Sequence, residues 1–230
     1  MNNAKIGFSV GCFHESANAL EALSILRNSG CRVVELNSQI LEHIGNEKYD
    51  QIIATNLAGF EYVSMHADVF EYGKPGTAEI LKEIEHLNHI RQLDLVVFHP
   101  DIIFDFGVLA NIDLKVGIEN MDHNKKSFRS VEDIKDILDR FPKFGFVLDV
   151  NHILTNDPTL KSVSTFFDVL GGKIVQYHLS GYKTLHDPLF KTKQVEIIQA
   201  MQIKNLPIIV ESLLAPEDIV RERNYILENL

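Results

Sequence analysis

Ionisable side chains stand at the ends of seven short apolar runs in this chain of 230 residues. In chain order they are Glu35, His66, His99, Glu119, Asp149, His178 and Glu211. Taken singly, such a histidine is more often a hydrogen-bonded structural residue, and such an acid often caps the next helix. Taken together, imidazole nitrogens and carboxylate oxygens suit Zn²⁺, Mn²⁺ or a similar ion. The set therefore predicts a divalent-metal site wherever the fold brings these residues together.

The elements that must position these residues form a repeating pattern of strand and helix signals. Eight apolar runs rich in β-branched residues span 5–10, 31–36, 61–66, 93–99, 114–119, 144–149, 173–178 and 206–211. Most intervals show helical periodicity; Ser130 with Asp133 resembles a helix N-cap, and Pro216 suits a first helical position. Strands that are apolar throughout indicate a parallel sheet covered on its outside. We therefore predict one domain over residues 1–230, a single (β/α)₈ TIM barrel, with an open doubly wound sheet as the alternative.

One interval is too short for a full helix. Only 14 residues separate His99 from Leu114. A crossover between parallel strands needs about a dozen residues as a minimum. The spacing therefore predicts a truncated helix between strands 4 and 5.

The barrel would gather the seven ionisable side chains at one face. All carboxyl ends of its parallel strands lie on the same side, where barrels of this kind build their active sites. Three or four carboxylates in one mouth would repel one another unless cations bound between them. This need for counterions strengthens the metal-site prediction.

Composition and charge limit the partners. Hydrophobic residues make up 45% and charged residues 23%, as in ordinary globular proteins, and the formal net charge is −10. That charge makes DNA a possible but disfavoured partner, although it says nothing about the field inside a cleft. No run reaches the length of a membrane helix, and the N-terminus lacks a signal-peptide pattern. We expect a cytoplasmic protein without a membrane partner.

Six short motifs carry a resemblance to a known superfamily. They are "HAD" at 66, "HPD" at 99, "IEN" at 118, "DVNH" at 149, "HLSG" at 178 and "VES" at 210. Each is weak alone, but their order and spacing make the chain similar to the xylose isomerase-like TIM barrels. This superfamily includes endonuclease IV and the sugar isomerases and epimerases.

The endonuclease branch implies three bound metals. Carried over to this chain, the first metal takes His66, His99 and Glu119, and the second takes Glu119, Asp149, His178 and Glu211. His152 and His186 would hold the third. Thr184 stands where that branch has an aspartate, and Asp187 is the candidate substitute. The resemblance thus implies more than one ion, Zn²⁺ or Mn²⁺, and leaves the third site open.

The isomerase and epimerase branch implies a smaller site. Glu119, Asp149, His178 and Glu211 would surround one Mn²⁺ or Mg²⁺. Glu119 and Glu211 would lie on either side of a substrate carbon as the catalytic pair that moves its proton. The same resemblance places Glu35, Asn120 and Lys183 among the substrate-binding residues.

Three functions follow, and the sequence leaves all three open. Hydrolysis of a phosphoester by clustered metals is favoured because it gives His66, His99 and His186 a purpose. Its weakness is Val69, which replaces a tyrosine usual in the endonuclease branch. The alternative is isomerisation or epimerisation of a sugar or sugar phosphate, and the third function is binding without turnover. The substrate is a small molecule or a phosphoester, and the oligomeric state is left open.

Overall fold

Eight parallel strands close into a barrel in sequence order. The computed structural model describes residues 4–13, 16–67, 70–184 and 186–230, so Val69 lies outside the described residues. The strands are β1 (Ile6–Ser9), β2 (Val33–Asn37), β3 (Tyr62–His66), β4 (Leu95–Phe98), β5 (Val116–Glu119), β6 (Gly145–Asp149), β7 (Ile174–Leu179) and β8 (Ile208–Val210). Because β1 pairs with both β2 and β8, the sheet has no free edge. The predicted TIM barrel is confirmed, and the open sheet is excluded.

Helices fill the intervals between the strands. They are α1 (Ala19–Asn28), α2 (Glu47–Leu57), α3 (Thr77–Ile90), α4 (Gly107–Ala110), α5 (Val131–Arg140), α6 (Val150–Asn156), α7 (Ser162–Leu170), α8 (Leu189–Thr192), α9 (Val195–Gln199) and α10 (Ile219–Asn229). Short 3₁₀ segments add Val10–Phe13, Ser38–His43, Pro100–Ile102, Gly171–Lys173 and Pro216–Asp218. None of the helices in the described part of the chain has the length and hydropathy needed to span a bilayer.

The truncated helix between strands 4 and 5 is confirmed. Helix α4 has four residues and follows the 3₁₀ turn Pro100–Ile102. Its one fully buried residue is Leu109, so the element covers this flank of the barrel with little apolar surface.

Local signals at the helix ends act as the sequence indicates. Ser130 accepts a hydrogen bond from the Asp133 backbone N–H at 3.2 Å, and Asp133 accepts one from Ser130 N, which completes a capping box at the start of α5. Pro216 opens the 3₁₀ turn that leads into α10. Gly30 adopts a φ of +78° just after α1, a conformation that glycine takes without steric cost.

The barrel interior changes from apolar to polar toward its mouth. Leu95, Val97 and Val147 form a small apolar cluster, and Tyr62 and Val175 pack against it. Side chains on a strand alternate between faces, so residues two apart share a face. Ser64 therefore lies one layer below His66, and Gln176 lies one layer below His178. These polar side chains lie inside the barrel, directly beneath the histidines at its mouth.

Candidate metal centre

A cleft of about 540 Å³ opens at the carboxyl ends of the strands. Five predicted ligands line it: His66, His99, His152, His186 and Glu211. The rest of its wall is formed by Ser9, Gly11, Asn37, Ser38, Gln39, Glu42 and Leu213. The wall therefore combines the imidazole and carboxylate groups of the predicted ligands with hydroxyl and amide groups and one further carboxylate, that of Glu42.

Glu119 is the centre of the site. Its Oε2 lies 3.0 Å from His66 Nε2 and 3.1 Å from His99 Nε2. Its Oε1 lies 3.0 Å from His178 Nδ1. The carboxylate is fully buried at the end of β5, so its two oxygens face two different groups of ligands.

Three overlapping sets of side chains among the described residues converge closely enough to hold an ion, and two of them are the sets that the resemblance implies. The remaining one is Glu35, His66, His178 and Glu211. The outer set is His66, His99 and Glu119, and the core set is Glu119, Asp149, His178 and Glu211. Within each set, one ligand atom from every residue lies within 4.8 Å of all the others. That spread is close to the spacing of ligands placed about 2 Å from a common ion. The structure thus brings together both sets that the endonuclease resemblance implies.

Asp149 supplies an observation that fits a cation. Its Oδ1 accepts a hydrogen bond of 2.8 Å from the backbone N–H of His152 and so caps α6. Its Oδ2 is buried and has no hydrogen-bond partner; His152 Nε2 stands 3.6 Å away, beyond hydrogen-bonding range. A buried carboxylate oxygen left unpaired is costly, and a bound cation would remove that cost. Asp149 therefore serves both as a helix cap and as a candidate ligand.

Burial and charge shift the ionisation of the core set in different directions. Burial alone would raise the pKa of Glu119, but His178, His66 and His99 together lower it well below its ordinary value. Burial raises the pKa of Asp149 to about 6 and also raises the pKa of Glu211. Burial opposes the protonation of His178, yet Glu35, Glu211 and Glu119 raise its pKa well above the ordinary value. The metal-free core set thus holds protons that an ion must displace.

We expect metal binding to the core set to weaken as the pH falls from neutrality through about 6, the pKa of Asp149. The raised pKa values of Asp149 and His178 mean that protons persist on both groups to higher pH, so binding is lost on acidification. The lowered pKa of Glu119 keeps that carboxylate ionised throughout this range. Each displaced proton should reduce the apparent affinity by about tenfold per pH unit. Titration calorimetry in two buffers of different ionisation enthalpy measures the released protons, and a pH-independent affinity would contradict the expectation.

The two histidines expected at a third metal lie near each other, and no third candidate ligand is grouped with them in the part of the chain that the structure describes. Their ring centroids are 6.4 Å apart. His152 Nδ1 lies 2.7 Å from the Asn120 carbonyl oxygen, and His186 Nδ1 lies 3.1 Å from Ser180 Oγ. Because a carbonyl only accepts, the neutral His152 ring carries its proton on Nδ1 and leaves Nε2 as an acceptor.

Asp187, the candidate substitute at that site, is engaged elsewhere. Its Oδ2 accepts hydrogen bonds of 2.8 Å from the backbone N–H groups of Lys183 and Thr184. Within the described ranges, no set of three or more candidate ligands contains His152, His186 or Asp187. The carboxylate thus stabilises its own loop, and the third site stays a prediction.

The predicted substrate-binding residues lie beside the cleft rather than in its wall. Asn120 is buried and exchanges two hydrogen bonds with the Asp149 backbone, at 2.9 and 3.0 Å. Glu35 is fully buried beneath His178, and Lys183 is exposed in the loop after β7. None of the three is among the cleft-lining residues, so contact with substrate stays a prediction for them.

Several residues of the site were missed by sequence reasoning. Ser64 and Gln176 form the polar layer under the ligands, and their signal was a polar residue two positions before His66 and His178 on an otherwise apolar strand. Asn37, Ser38 and Gln39 line the cleft from the end of β2 and the following 3₁₀ turn. A polar segment after a strand carries no comparable signal, because most such segments are ordinary loops.

Comparison with known proteins gives a consistent fold assignment. No protein-family model matches the chain, and no curated protein sequence matches it. Endonuclease IV from Thermus thermophilus is similar in structure, with a TM-score of 0.72 at 13% identity over 97% of this chain and 99% of that chain. The 3-keto-D-glucoside 4-epimerase from E. coli has a TM-score of 0.66 at 12% identity over 99% of each chain.

A third solved structure has a different substrate from the other two. D-Allulose 3-epimerase from Methylomonas sp. gives a TM-score of 0.66 at 11% identity, over 100% of this chain and 99% of that chain. At such low identity the likeness shows the fold and leaves the reaction open. The chain therefore shares the TIM-barrel fold of these three structures, which is the fold that the resemblance in its sequence implies.

Proposed function

We propose that the protein is a divalent-metal-dependent hydrolase of small phosphoesters that binds at least two ions at the barrel mouth. The observation that carries the proposal is the placement of Glu119, whose two oxygens face the outer set and the core set separately. A carboxylate placed in this way suits a bridge between two neighbouring ions. One ion would be held by His66, His99 and Glu119, and the other by the core set.

The chemistry requires both ions and the chain's own groups. Bound at adjacent sites, Zn²⁺ or Mn²⁺ would activate water and neutralise charge on the attacking and leaving oxygens. The His152 Nε2 acceptor and the His186 ring lie at the edge of the cleft, where they can hold a proton near a leaving oxygen. Glu211 lies between His178 and His186, with Oε1 3.3 Å from His178 Nδ1 and Oε2 3.9 Å from His186 Nδ1.

A small substrate fits the cleft better than DNA does. The structurally similar endonuclease IV is by its name a nuclease. In this chain the formal net charge is −10, and no lysine or arginine is among the described residues that line the cleft. A nucleic acid backbone is normally held by several basic side chains. We therefore propose a small phosphoester whose charge is met by the ions and whose remaining part contacts the hydroxyl and amide groups of Ser9, Asn37, Ser38 and Gln39.

A sugar isomerase or epimerase is the second candidate, and the hydroxyl and amide groups in the wall of the cleft favour it. Ser9, Asn37, Ser38 and Gln39 offer hydroxyl and amide groups of the kind that bind a polyol. Two of the similar structures are by name sugar epimerases. In this case a single ion would occupy the core set, and Glu119 and Glu211 would move the substrate proton.

The number of ions and the reaction together test the proposal. Protein purified in the presence of Zn²⁺ or Mn²⁺ and without chelator should retain at least two ions per chain by elemental analysis. It should cleave bis(p-nitrophenyl) phosphate or a sugar phosphate, lose that activity on dialysis against chelator, and regain it when the metal is restored. A single ion with turnover of ketoses alone would favour the epimerase. A protein that binds ions but turns over neither phosphoesters nor ketoses would instead have the third function, binding without turnover.

A further inference from the structure

A group of buried polar side chains lies under the metal centre and is organised around Glu35. The Glu35 side chain is fully buried inside the barrel on β2. Its Oε2 accepts hydrogen bonds from Ser64 Oγ at 2.8 Å and from Gln176 Nε2 at 2.7 Å. Tyr62 completes the group by donating its hydroxyl to Gln176 Oε1 at 2.9 Å. A carboxylate buried this deeply needs such donors, and they fix its position.

Glu35 reaches the metal centre through the far side of the His178 ring. His178 Nε2 lies 3.2 Å from Glu35 Oε1 and 3.3 Å from Glu35 Oε2. His178 Nδ1 lies 3.0 Å from Glu119 Oε1 and 3.3 Å from Glu211 Oε1. One ring nitrogen therefore faces the core set, and the other faces Glu35.

The chemistry of imidazole gives this arrangement a consequence. A neutral histidine binds an ion through its unprotonated nitrogen and carries its proton on the other one. A carboxylate that accepts this proton fixes the orientation of the ring and increases its basicity. Gln176 Nε2 also lies 2.8 Å from His178 Nε2, but an amide nitrogen only donates. A proton on His178 Nε2 can therefore be accepted by Glu35 and not by Gln176, whose oxygen already accepts the Tyr62 hydroxyl.

We propose that Glu35 is a positioning residue, which accepts the proton on His178 Nε2 and thereby presents an unprotonated Nδ1 to the ion in the core set. The inference rests on the proposed metal centre and gives Glu35 a role that requires no contact with substrate. Ser64 and Gln176 support it by holding the carboxylate in place.

The test replaces Glu35 with glutamine, which keeps the size of the side chain and removes its charge. Zn²⁺ binding by the Glu35→Gln variant should weaken by about 10–100-fold while the full number of ions still binds at saturation. The visible absorption spectrum of the Co²⁺-loaded variant should also change, because the coordination of Co²⁺ by His178 Nδ1 changes. Glu222→Gln is the matched control, since it makes the same substitution at another fully buried carboxylate, which accepts from Leu189 N, Phe190 N and Ser212 Oγ and belongs to no candidate ligand set. Its Zn²⁺ affinity should stay within about threefold of the parent.

The outcomes separate this inference from the proposed function. If the parent binds Zn²⁺ and Glu35→Gln binds it with the same affinity and Co²⁺ spectrum, Glu35 does not position His178 and only this inference fails. If the variant loses a whole ion at saturation, Glu35 is itself a ligand, as its spacing to His66, His178 and Glu211 would permit, and the inference is again overturned. A parent protein that binds no divalent ion would overturn both.

A measurement on the unaltered protein covers the case in which the variant fails to fold. ¹⁵N NMR of histidine-labelled, Zn²⁺-loaded protein reports which nitrogen of each ring carries a proton. The His178 ring should show its proton on Nε2 and none on Nδ1. A proton on Nδ1 would overturn the inference without any substitution.

Discussion

Replacing Asp149 with asparagine should remove the ion from the core set and abolish any turnover, while the barrel stays folded. Asparagine keeps the oxygen that caps α6 by accepting from His152 N, but it loses the charged oxygen that has no hydrogen-bond partner. Removing a partner that merely orients a ligand costs about 10–100-fold in metal affinity, so removing a ligand itself should cost at least that much. Elemental analysis and turnover by Asp149→Asn measure the two effects.

The stability of the metal-free variant gives this prediction a second readout. The pKa of Asp149 is raised to about 6, above its unfolded value, so the contribution of this group to stability is present at low pH and is lost as the pH rises through about 6. At neutral pH, metal-free Asp149→Asn should therefore be more stable than the metal-free parent, by about 1–3 kcal/mol.

Asp133→Asn is the matched control for this variant. Its side chain accepts a hydrogen bond in the capping box of α5, and it neither lines the cleft nor belongs to a candidate ligand set, so the metal content of the variant should not change. If Asp149→Asn keeps the metal content of the parent, Asp149 is not a metal ligand.

Replacing His66 and His99 together with alanine should remove one ion and leave the other. Both imidazoles approach Glu119 Oε2, at 3.0 and 3.1 Å, whereas the core set uses Glu119 Oε1 with residues of other strands. Metal content should fall by one ion per chain, and phosphoester turnover should fall by about 10²–10³-fold, as is typical when one stabiliser of developing charge is removed.

The His86→Ala, His89→Ala double variant is the matched control. It also removes two imidazoles, but these are exposed on α3, where His86 pairs with Asp50 at 2.9 Å. Its metal content and turnover should match those of the parent. If instead His66→Ala, His99→Ala keeps all of its metal, the outer set holds no ion, and the single-ion isomerase becomes the better assignment.

The sequence allowed the barrel and the convergence of the candidate ligands to be predicted because both depend on local signals. An apolar run that ends in Glu119 or Asp149 specifies a strand and its carboxyl end at once, and parallel topology then brings those ends together. The short α4 followed in the same way from the number of residues available to it.

Orientation could not be predicted from the sequence. Glu35 ends an apolar run as His66 does, yet it lies one layer deeper, since its strand continues to Asn37. The role of Asp187 depends on the path of its own loop, which returns the carboxylate to the backbone of Lys183 and Thr184. These differences of a few ångströms arise from tertiary structure, and residue type alone does not encode them.

The junction between β6 and α6 has no connecting residue. The strand ends at Asp149 and the helix begins at Val150, so His152 is held by the helix itself. An insertion of one residue after Val150 would turn the following side chains by about 100° around the helix axis and carry His152 away from the mouth. Most strand-to-helix junctions in such barrels contain a loop whose length can change during evolution. The junction between β6 and α6 contains no loop, so its length is fixed. Homologues that keep the same chemistry should therefore share the spacing from Asp149 to His152, even where every neighbouring loop differs in length.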